Sequence, residues 1–407
     1  MDDSGNRVSS SKRPTMRDDD GHGSVTPSSV DQVMVNDDLV IEILLRLPVL
    51  TLIFFKSVSK RWLSLITSTA FFNLHLTRFP NIPPPSGLFL QQTNSDYDHF
   101  EHDFVSLVSG IPRGKLKKTS ASPFVCFGSN ASNVEVLQSC NGLVLCLMRS
   151  SATDKIYVYN PSINVFKMLP QVQRLTLEGF LDKYRLAFDP TKSPHYKVLR
   201  IRVKVTRPQN LFPTWIYSSE TGCWRIGNTF HSSRFRGHFD NGVYWNDAIN
   251  WINDRNRVMH FKLDVEHRVI ITRTQLPETL HRKIHPKLFE SRGCLLLAAS
   301  DAYPHPKRLK IYERMNEYSW SVRYIIKYED CIEASLKTWK MSTVGFHFNV
   351  LFMVVGEREE ESFVVMDLLG MVVKYNLLSK TLHVLYGIHT NLTPISAFPF
   401  IASFAGV

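Results

Sequence analysis

Residues 35–79 read VNDDLVIEILLRLPVLTLIFFKSVSKRWLSLITSTAFFNLHLTRF, and the organisation of the chain follows from them. Asn36 suits a helix N-cap, and Asp37 and Asp38 fall in the first turn, where carboxylates oppose the helix dipole favourably. Val35 and Val40 have the N′ and N4 spacing of a hydrophobic staple. Leu39, Ile43 and Leu47 recur four apart, with Val40 and Leu44 widening the stripe. Pro48 ends this helix or starts a turn. A second short helix carries Leu52, Phe55 and Val58, a third Trp62, Leu65 and Ile66, and residues 70–76 make a fourth. So small a unit cannot bury this much apolar surface in itself, so a partner is expected to cover part of it. Asp37, Asp38, Glu42, Arg46 and Pro48 interrupt the run before it reaches the ~20 apolar residues of a membrane helix.

The 407 residues suffice for two or three domains, and 43% apolar with 12% aromatic content is globular. The net charge of +11 is scattered, so nucleic acid is not an expected partner. The six cysteines lie far apart; several sit in apolar runs as buried thiols would. The opening residues lack an apolar signal-peptide core, so a reducing compartment, nucleus and/or cytoplasm, is expected. The sequons at Asn130 and Asn391 then carry no function. Residues 1–34 are polar and read as a disordered tail; 80–85, PNIPPP, as a stiff linker.

From residue 86 onward the helical stripes give way to short apolar runs separated by turns. Asn141-Gly142, Asn241-Gly242 and Arg292-Gly293 each precede a strand, and a second strand ending in an aromatic follows, at Tyr159, Phe261 and Tyr312. Large apolar residues return seven or eight positions after an aromatic: Tyr159 to Phe166, Tyr217 to Trp224, Tyr312 to Trp320, Tyr375 to Leu382. That spacing suits hairpins. Residues 184–188 should pair with 198–205, and 346–355 with 363–366. Antiparallel units recurring every 40 to 50 residues predict a β-propeller of six to eight irregular blades over 86–407. A β-sandwich would explain the alternation but not the recurring order of glycine, aromatic and tryptophan.

The sequence lacks the Gly-rich phosphate loops, HExxH and GxSxG. His281 and His285 have helical spacing, but Pro286 follows and Arg282 and Lys283 intervene. Glu357, Glu359, Glu360 and Glu361 read as a solvated loop. Asp96, Asp98, Glu101 and Asp103, with His99 and His102, lack ordered calcium or zinc spacing. No catalytic, metal or cofactor residue is therefore expected. Trp245 and Trp251, among Asn246, Asp247 and Asn250, suit either a recognition surface or packing between blades, the latter favoured.

The motifs Asp38-Leu39, 41–48 (IEILLRLP), 55–62 (FKSVSKRW), Leu65-Ile66 and Phe71-Phe72 resemble, in order and spacing, the F-box of plant F-box proteins that carry a C-terminal F-box-associated domain. The family often opens with Leu-Pro where this chain has Val35-Asn36. The resemblance implies a multidomain α+β protein: a small all-helical F-box over 35–79, then an all-β, degenerate kelch-like propeller. It implies a non-catalytic substrate-recognition subunit of a Skp1–cullin–F-box ubiquitin ligase. Leu39, Ile43, Leu44, Leu47, Pro48, Val58 and Trp62 would contact a Skp1-like adaptor or position residues that do. Through that adaptor a cullin–RING assembly would be reached, while the C-terminal domain holds a target protein. An alternative is a binding module that takes the adaptor without assembling a cullin complex; a third is an enzyme on the propeller face, which no motif supports. Loops 230–241, with Arg234 and Arg236, and 300–308, with Lys307 and Arg308, are the candidate target contacts beside Trp245 and Trp251. Their charge suits an acidic or phosphorylated target.

The tail, residues 395–407, reads ISAFPFIASFAGV. A propeller joins its first and last blades to remove free edges, so 398–404 should pair or pack with 86–108, with Pro399 at a bulge, strand start or free edge. Deleting residues 395–407 is expected to lower the melting temperature markedly or leave the chain insoluble, as differential scanning calorimetry of the two chains would read.

Overall fold

The computed structural model describes residues 35–79, 82–94, 99–107, 124, 132–150, 154–171, 180–204, 211–227, 229–231, 239–252, 257–263, 273–275, 286–301, 307–316, 319–331, 349–368, 370–387 and 395–407. Two compact units divide the chain, Met1–Arg46 and Leu47–Val407.

In the first unit, α1 (Asp37–Leu44) starts where the sequence places it: the Asn36 side chain accepts from the amides of Asp38 (2.9 Å) and Leu39 (3.4 Å). Val40, Leu44 and Leu45 are buried. The expected staple is not formed, because Val35 is 78% exposed while Val40 is buried. The second unit opens with α2 (Val49–Phe55), α3 (Lys60–Thr67) and α4 (Thr69–Arg78). Pro48, with extended backbone, begins α2; Ser59 and Ser68 cap α3 and α4 through the amides of Trp62 and Phe71, both at 3.1 Å. Val58 lies beyond α2, in the turn before α3.

The rest of this unit is a six-bladed propeller. Blade I joins β1 (Gly87–Asn94) and β2 (His99–Ser106) to the last strand, β25 (Ile395–Phe400). Blade II is β3 (Val134–Cys140), β4 (Leu143–Met148), β5 (Lys155–Asn160) and β6 (Val165–Met168). Blade III is β7 (Phe180–Ala187), β8 (Lys197–Lys204), β10 (Thr214–Ser218) and β11 (Cys223–Ile226), flanked by a ribbon of β9 (Leu211–Phe212) and β12 (Phe230–His231). Blade IV is β13 (Val243–Trp245), β14 (Ala248–Ile252), β15 (Arg257–Lys262) and β16 (Arg273–Gln275). Blade V is β17 (Lys287–Ser291), β18 (Cys294–Ser300), β19 (Arg308–Arg314) and β20 (Trp320–Lys327). Blade VI is β21 (Asn349–Val354), β22 (Phe363–Leu368), β23 (Met371–Asn376) and β24 (Leu382–Gly387). Successive blades meet largely through their inner strands, β25 with β3, β3 with β7, β13 with β17, β17 with β21 and β21 with β25, while β7 meets the second strand of blade IV, β14.

The core distinguishes this architecture from a sandwich. The described residues form six hydrophobic clusters, one at each blade junction. Strand β18 shows the cause. Leu295, Leu297 and Ala299 face blade IV, while Leu296 and Ala298 face blade VI. Alternate side chains of a strand point to opposite faces; with both faces covered, the strand reads as one apolar run.

Closure occurs as the tail sequence requires. Gly87–Gln92 pairs antiparallel with 395–400, setting Phe89 opposite Phe398 and Leu88 opposite Pro399. Among the described residues β25 has only β1 as a sheet neighbour, so Pro399 occupies an edge strand. The pairing stops at Phe400, and residues 401–407 leave the sheet.

Three of the expected hairpin pairs form, Tyr159–Phe166, Tyr217–Trp224 and Tyr375–Leu382. In blade V the strand runs two residues past the tyrosine before it turns, so Tyr312 faces Val322 and Trp320 faces Arg314. Asn241-Gly242 precedes a strand as expected, the inner strand of blade IV, whereas Asn141-Gly142 and Arg292-Gly293 join inner to second strands. Blade IV makes that turn with Asn246-Asp247. All three pairs have positive φ at both positions (47° and 94°, 49° and 58°, 53° and 75°), as two-residue type I′ hairpins demand. Asn and Asp tolerate that region, so blade IV dispenses with glycine and its turn escapes a glycine-based search. Gly242 has another role, since a Cβ there would come within 3.0 Å of Arg185 Nε.

A polar joint ties blades IV and V. Buried His260 takes a hydrogen bond at Nε2 from Arg314 Nη1 (2.7 Å) and meets Asn250 Oδ1 through Nδ1. Asn250 donates to the carbonyls of Trp245 (3.1 Å) and Ala248 (3.0 Å). Burial, with the Arg314 and Lys262 charges, pulls the His260 pKa down to about 4. Burial does the same at His102, also to about 4, and lowers His75.

Two predictions arise. In the unfolded chain these histidines titrate near 6.5. Between that pH and about 4 the unfolded state therefore binds protons that the native state does not, so stability falls on acidification. A calorimetric series from pH 7 to 5 should show a declining melting temperature, with a shallower slope in His260→Gln. Separately, Gly142→Ala and Gly293→Ala each place a Cβ in left-handed backbone, costing about 1–2 kcal/mol. At Gly142 that Cβ would also lie 2.3 Å from Ser403 Cβ, whereas nothing lies within 4 Å of the one at Gly293. Urea midpoints should drop further for Gly142→Ala.

Candidate functional site

The helices leave apolar side chains in solvent. On α1, Leu39 and Ile43 are 45% and 50% exposed, while Leu44, next to Ile43, is fully buried. Of the sequence-predicted adaptor residues, Leu44 can thus only position the others. In the second unit Leu52, Ile66 and Phe71 are buried, whereas Leu50, Phe54, Val58, Leu63 and Leu74 are exposed. Phe54 is 73% exposed and Val58 59%. Pro48 is exposed and Leu47 half-buried. The Leu47 carbonyl lies 3.1 Å from His75 Nε2, which ties the start of this unit to α4. Trp62 is half-buried and packs edge-on against Phe55 at 5.2 Å between centroids. Sequence reading passed over Leu50 and Phe54, although their four-residue spacing was the available signal.

The propeller surrounds a central cavity of about 670 Å³. Its charged groups are held by neighbours. Arg185 is buried, donates from Nη1 to the Tyr184 carbonyl (2.7 Å) and lies 3.8 Å from Asp240; burial pulls its pKa down to about 10. Lys287 donates to Asn349 Oδ1 (2.8 Å) and the Val350 carbonyl (3.1 Å). Glu290 accepts from the Gly293 amide at 2.8 Å, and burial raises its pKa. The Cys140 thiol, pushed up to about 12 by burial, donates to the Phe188 carbonyl and stays protonated. Cys331 is likewise raised to about 12. Among the described residues no group of three or more His, Cys, Asp or Glu is arranged to hold a metal ion.

Asp182, on the inner strand β7 of blade III, accepts from Arg200 Nη2 (2.6 Å) and Arg202 Nε (3.1 Å), and both guanidiniums lie over the Trp215 ring. Burial opposes ionisation of Asp182, but the two arginines outweigh it and hold the carboxyl below its usual range. With both arginines buried, this cluster seals a blade face.

The expected target contacts fall in different settings. Arg234 and Arg236 lie outside the described residues, as do His281 and His285. Lys307 and Arg308 are exposed, and their amides bind Asp301 Oδ1 at 2.9 and 3.0 Å, which shapes the loop around them. Trp245 is half-buried; its Nε1 donates to the Gly293 carbonyl of blade V (2.7 Å) and Arg314 lies 5.6 Å from its ring. Trp251 is 1% exposed, packed on Phe239 and Phe261, and serves the core. In the acidic segment, Asp96 and Asp98 lie outside the described residues, Asp103 accepts from the Tyr386 hydroxyl, and His102 meets Gln91 Oε1 at 3.1 Å. The glutamate run forms an exposed 3-10 turn, Glu359–Glu361, with an Arg358–Glu361 ion pair at 2.7 Å.

Register places the two ends of the propeller. Residue 87 sits opposite Phe400, at the C-terminal end of the inner strand of blade I, so segment 82–86 enters on the side of the type I′ turns. Ser300 and Leu309, which flank the 300–308 loop, pair at the other end of blade V.

Two domain families match the chain. Residues 35–74 match the F-box domain, and residues 112–277 match the F-box associated beta propeller domain. F-box protein At5g07610 of Arabidopsis thaliana is 30% identical over 385 residues, covering 88% of this chain and 87% of the relative. F-box protein At5g49610 of the same plant is 27% identical over 307 residues, covering 70% of this chain and 77% of the relative. An F-box-type helical segment, a closed six-bladed propeller and a full-length relative all agree, and the chain belongs to the F-box proteins that carry an F-box associated β-propeller domain.

Proposed function

We propose that this chain is the substrate-recognition subunit of a Skp1–cullin–F-box ubiquitin ligase, binding a Skp1-like adaptor through its helices and a target protein through its propeller. The observation that carries the reading is the set of apolar side chains its F-box helices leave in solvent, Leu39 and Ile43 on α1 and Leu50, Phe54 and Val58 around α2. F-box domains are typical of such ligase adaptors, and an F-box joined to a propeller is typical of non-catalytic adaptor proteins. An adaptor docking there removes large apolar groups from water, the usual source of hot-spot energy. The ligase acts by proximity: the chain brings a target to the conjugating enzyme, and it needs no nucleophile of its own. Target recognition falls to propeller loops, which vary while the strands hold the frame. The exposed Lys307 and Arg308 lie at the end away from the entry of segment 82–86, which supports a target held on the far side through acidic or phosphorylated groups.

Calorimetric titration of the full chain with a Skp1-like protein tests this reading. Leu39→Ala with Ile43→Ala, at exposed positions that leave the fold intact, is expected to weaken binding at least tenfold, since each loses a contact of about 1–2 kcal/mol. Leu47→Ala with Pro48→Ala should do the same. Undiminished affinity in both pairs would defeat the assignment. Native mass spectrometry of the complex then distinguishes the full ligase from an adaptor-binding module without a cullin.

A further inference from the structure

Beyond Phe400 the chain leaves the seam of blade I and runs over blade II. Asn160, buried at the end of β5, donates through Nδ2 to the carbonyls of Ser403 (3.1 Å) and Ala405 (2.8 Å). Its Oδ1 accepts from the Ser162 amide at 2.9 Å, so the same side chain shapes the β5–β6 turn. The Ser403 amide donates to Ser162 Oγ (3.0 Å), and the Ala405 amide to Ser403 Oγ (3.0 Å). Ala405 is fully buried in the cluster between blades II and III, with Val407 packed against it. Gly142 admits this approach, because any Cβ there would overlap Ser403.

The residues on both sides of Phe404 are therefore bolted to the propeller, and Phe404 itself meets the helices. Lys56 Nζ, at the C-terminal end of α2, lies 4.8 Å from its ring centroid. The His75 ring of α4 meets it edge-on, at 6.0 Å and 90°. His75 is buried and braced by the Leu47 carbonyl and by the Phe79 ring at 4.8 Å. One aromatic side chain of the tail thus touches two helices while its neighbours hold blade II.

We propose that residues 401–407 form a clamp in which Phe404 is a positioning residue, holding α2 and α4 at a fixed attitude to the propeller. Under the ligase reading above, on which this significance rests, the clamp fixes the span between adaptor and target. The clamp itself is a property of the free chain, so it can be measured without adaptor, cullin or target.

The measurement is hydrogen–deuterium exchange with mass spectrometry on the full chain. Helices of seven to ten residues are marginal without tertiary contacts, so release of the clamp appears as faster amide exchange. In Phe404→Ala, exchange across residues 60–79 is expected to rise at least tenfold, while β22 and β23 keep wild-type protection. Phe404→Leu, retaining an apolar side chain, should give a smaller rise. Lys56→Gln attacks the contact from the helix side with the tail intact, and should accelerate the same peptides by about threefold. Unchanged exchange in 60–79 in both Phe404→Ala and Lys56→Gln overturns the clamp. Equal acceleration of β22 and β23 in Phe404→Ala also overturns it, because the tail would then merely complete the propeller. Adaptor affinity of Phe404→Ala is expected to stay within threefold of wild type, and a larger loss would make Phe404 part of the adaptor site instead. Failure of the wild-type chain to bind any adaptor would sink the ligase reading and leave the exchange result standing.

Discussion

The propeller depends on the antiparallel seam between Gly87–Gln92 and Ile395–Phe400. A sheet with a free edge presents unpaired amides and carbonyls to any passing strand. A ring of blades removes that hazard at its axis only if the last blade joins the first. Here the chain accomplishes this with hydrogen bonds, through a strand from its far end placed innermost in the first blade. Pro399 fits because its missing amide falls on the edge that needs no partner. Phe398 and Phe400 pack with Phe89, Phe104 and Phe124 into the cluster between blades I and II, so the seam is also an apolar contact.

Two-sided burial explains both the composition and the polar exceptions. Every inner blade face is covered by a neighbour, which is why segments such as 294–299 and 363–366 carry no alternation of apolar with polar residues. Polar side chains that enter this interior are placed where backbone is left unpaired. Asn160 satisfies tail carbonyls, Asn250 satisfies turn carbonyls, and Ser291 Oγ accepts from the Val355 amide at 2.9 Å. A buried polar group left unpaired is costly, so these residues specify which segments meet.

The helical segment was legible because capping and periodicity are local: Asn36 caps α1 as its residue type suggests, and the structure adds Ser59 and Ser68 as caps of α3 and α4. Hairpins with short turns were legible for the same reason, and blade V was misread because its strand continues two residues past Tyr312 and displaces the partner of Trp320 by two positions. The Asn246-Asp247 turn was missed because the search used glycine where the backbone required only positive φ. Burial was harder to read. A stripe of Leu39, Val40, Ile43 and Leu44 does not declare which half faces solvent, and Trp251 cannot be told from a surface tryptophan until Phe239 and Phe261 close over it. The role of Phe404 was illegible because its partners, Lys56 and His75, lie more than three hundred residues upstream.

The distance in sequence between the two strands of the seam has a consequence for biosynthesis. Strand β1 is made before all the other strands, and its inner partner only after roughly 300 further residues. At ~5–20 residues per second, the first blade waits on the order of tens of seconds with its inner edge uncovered. Through that interval the nascent polypeptide presents the same apolar, strand-hungry surface that attracts chaperones. Until residues 395–400 have been made, the inner edge of β1 has no strand to cover it, so closure of this ring comes late in its synthesis.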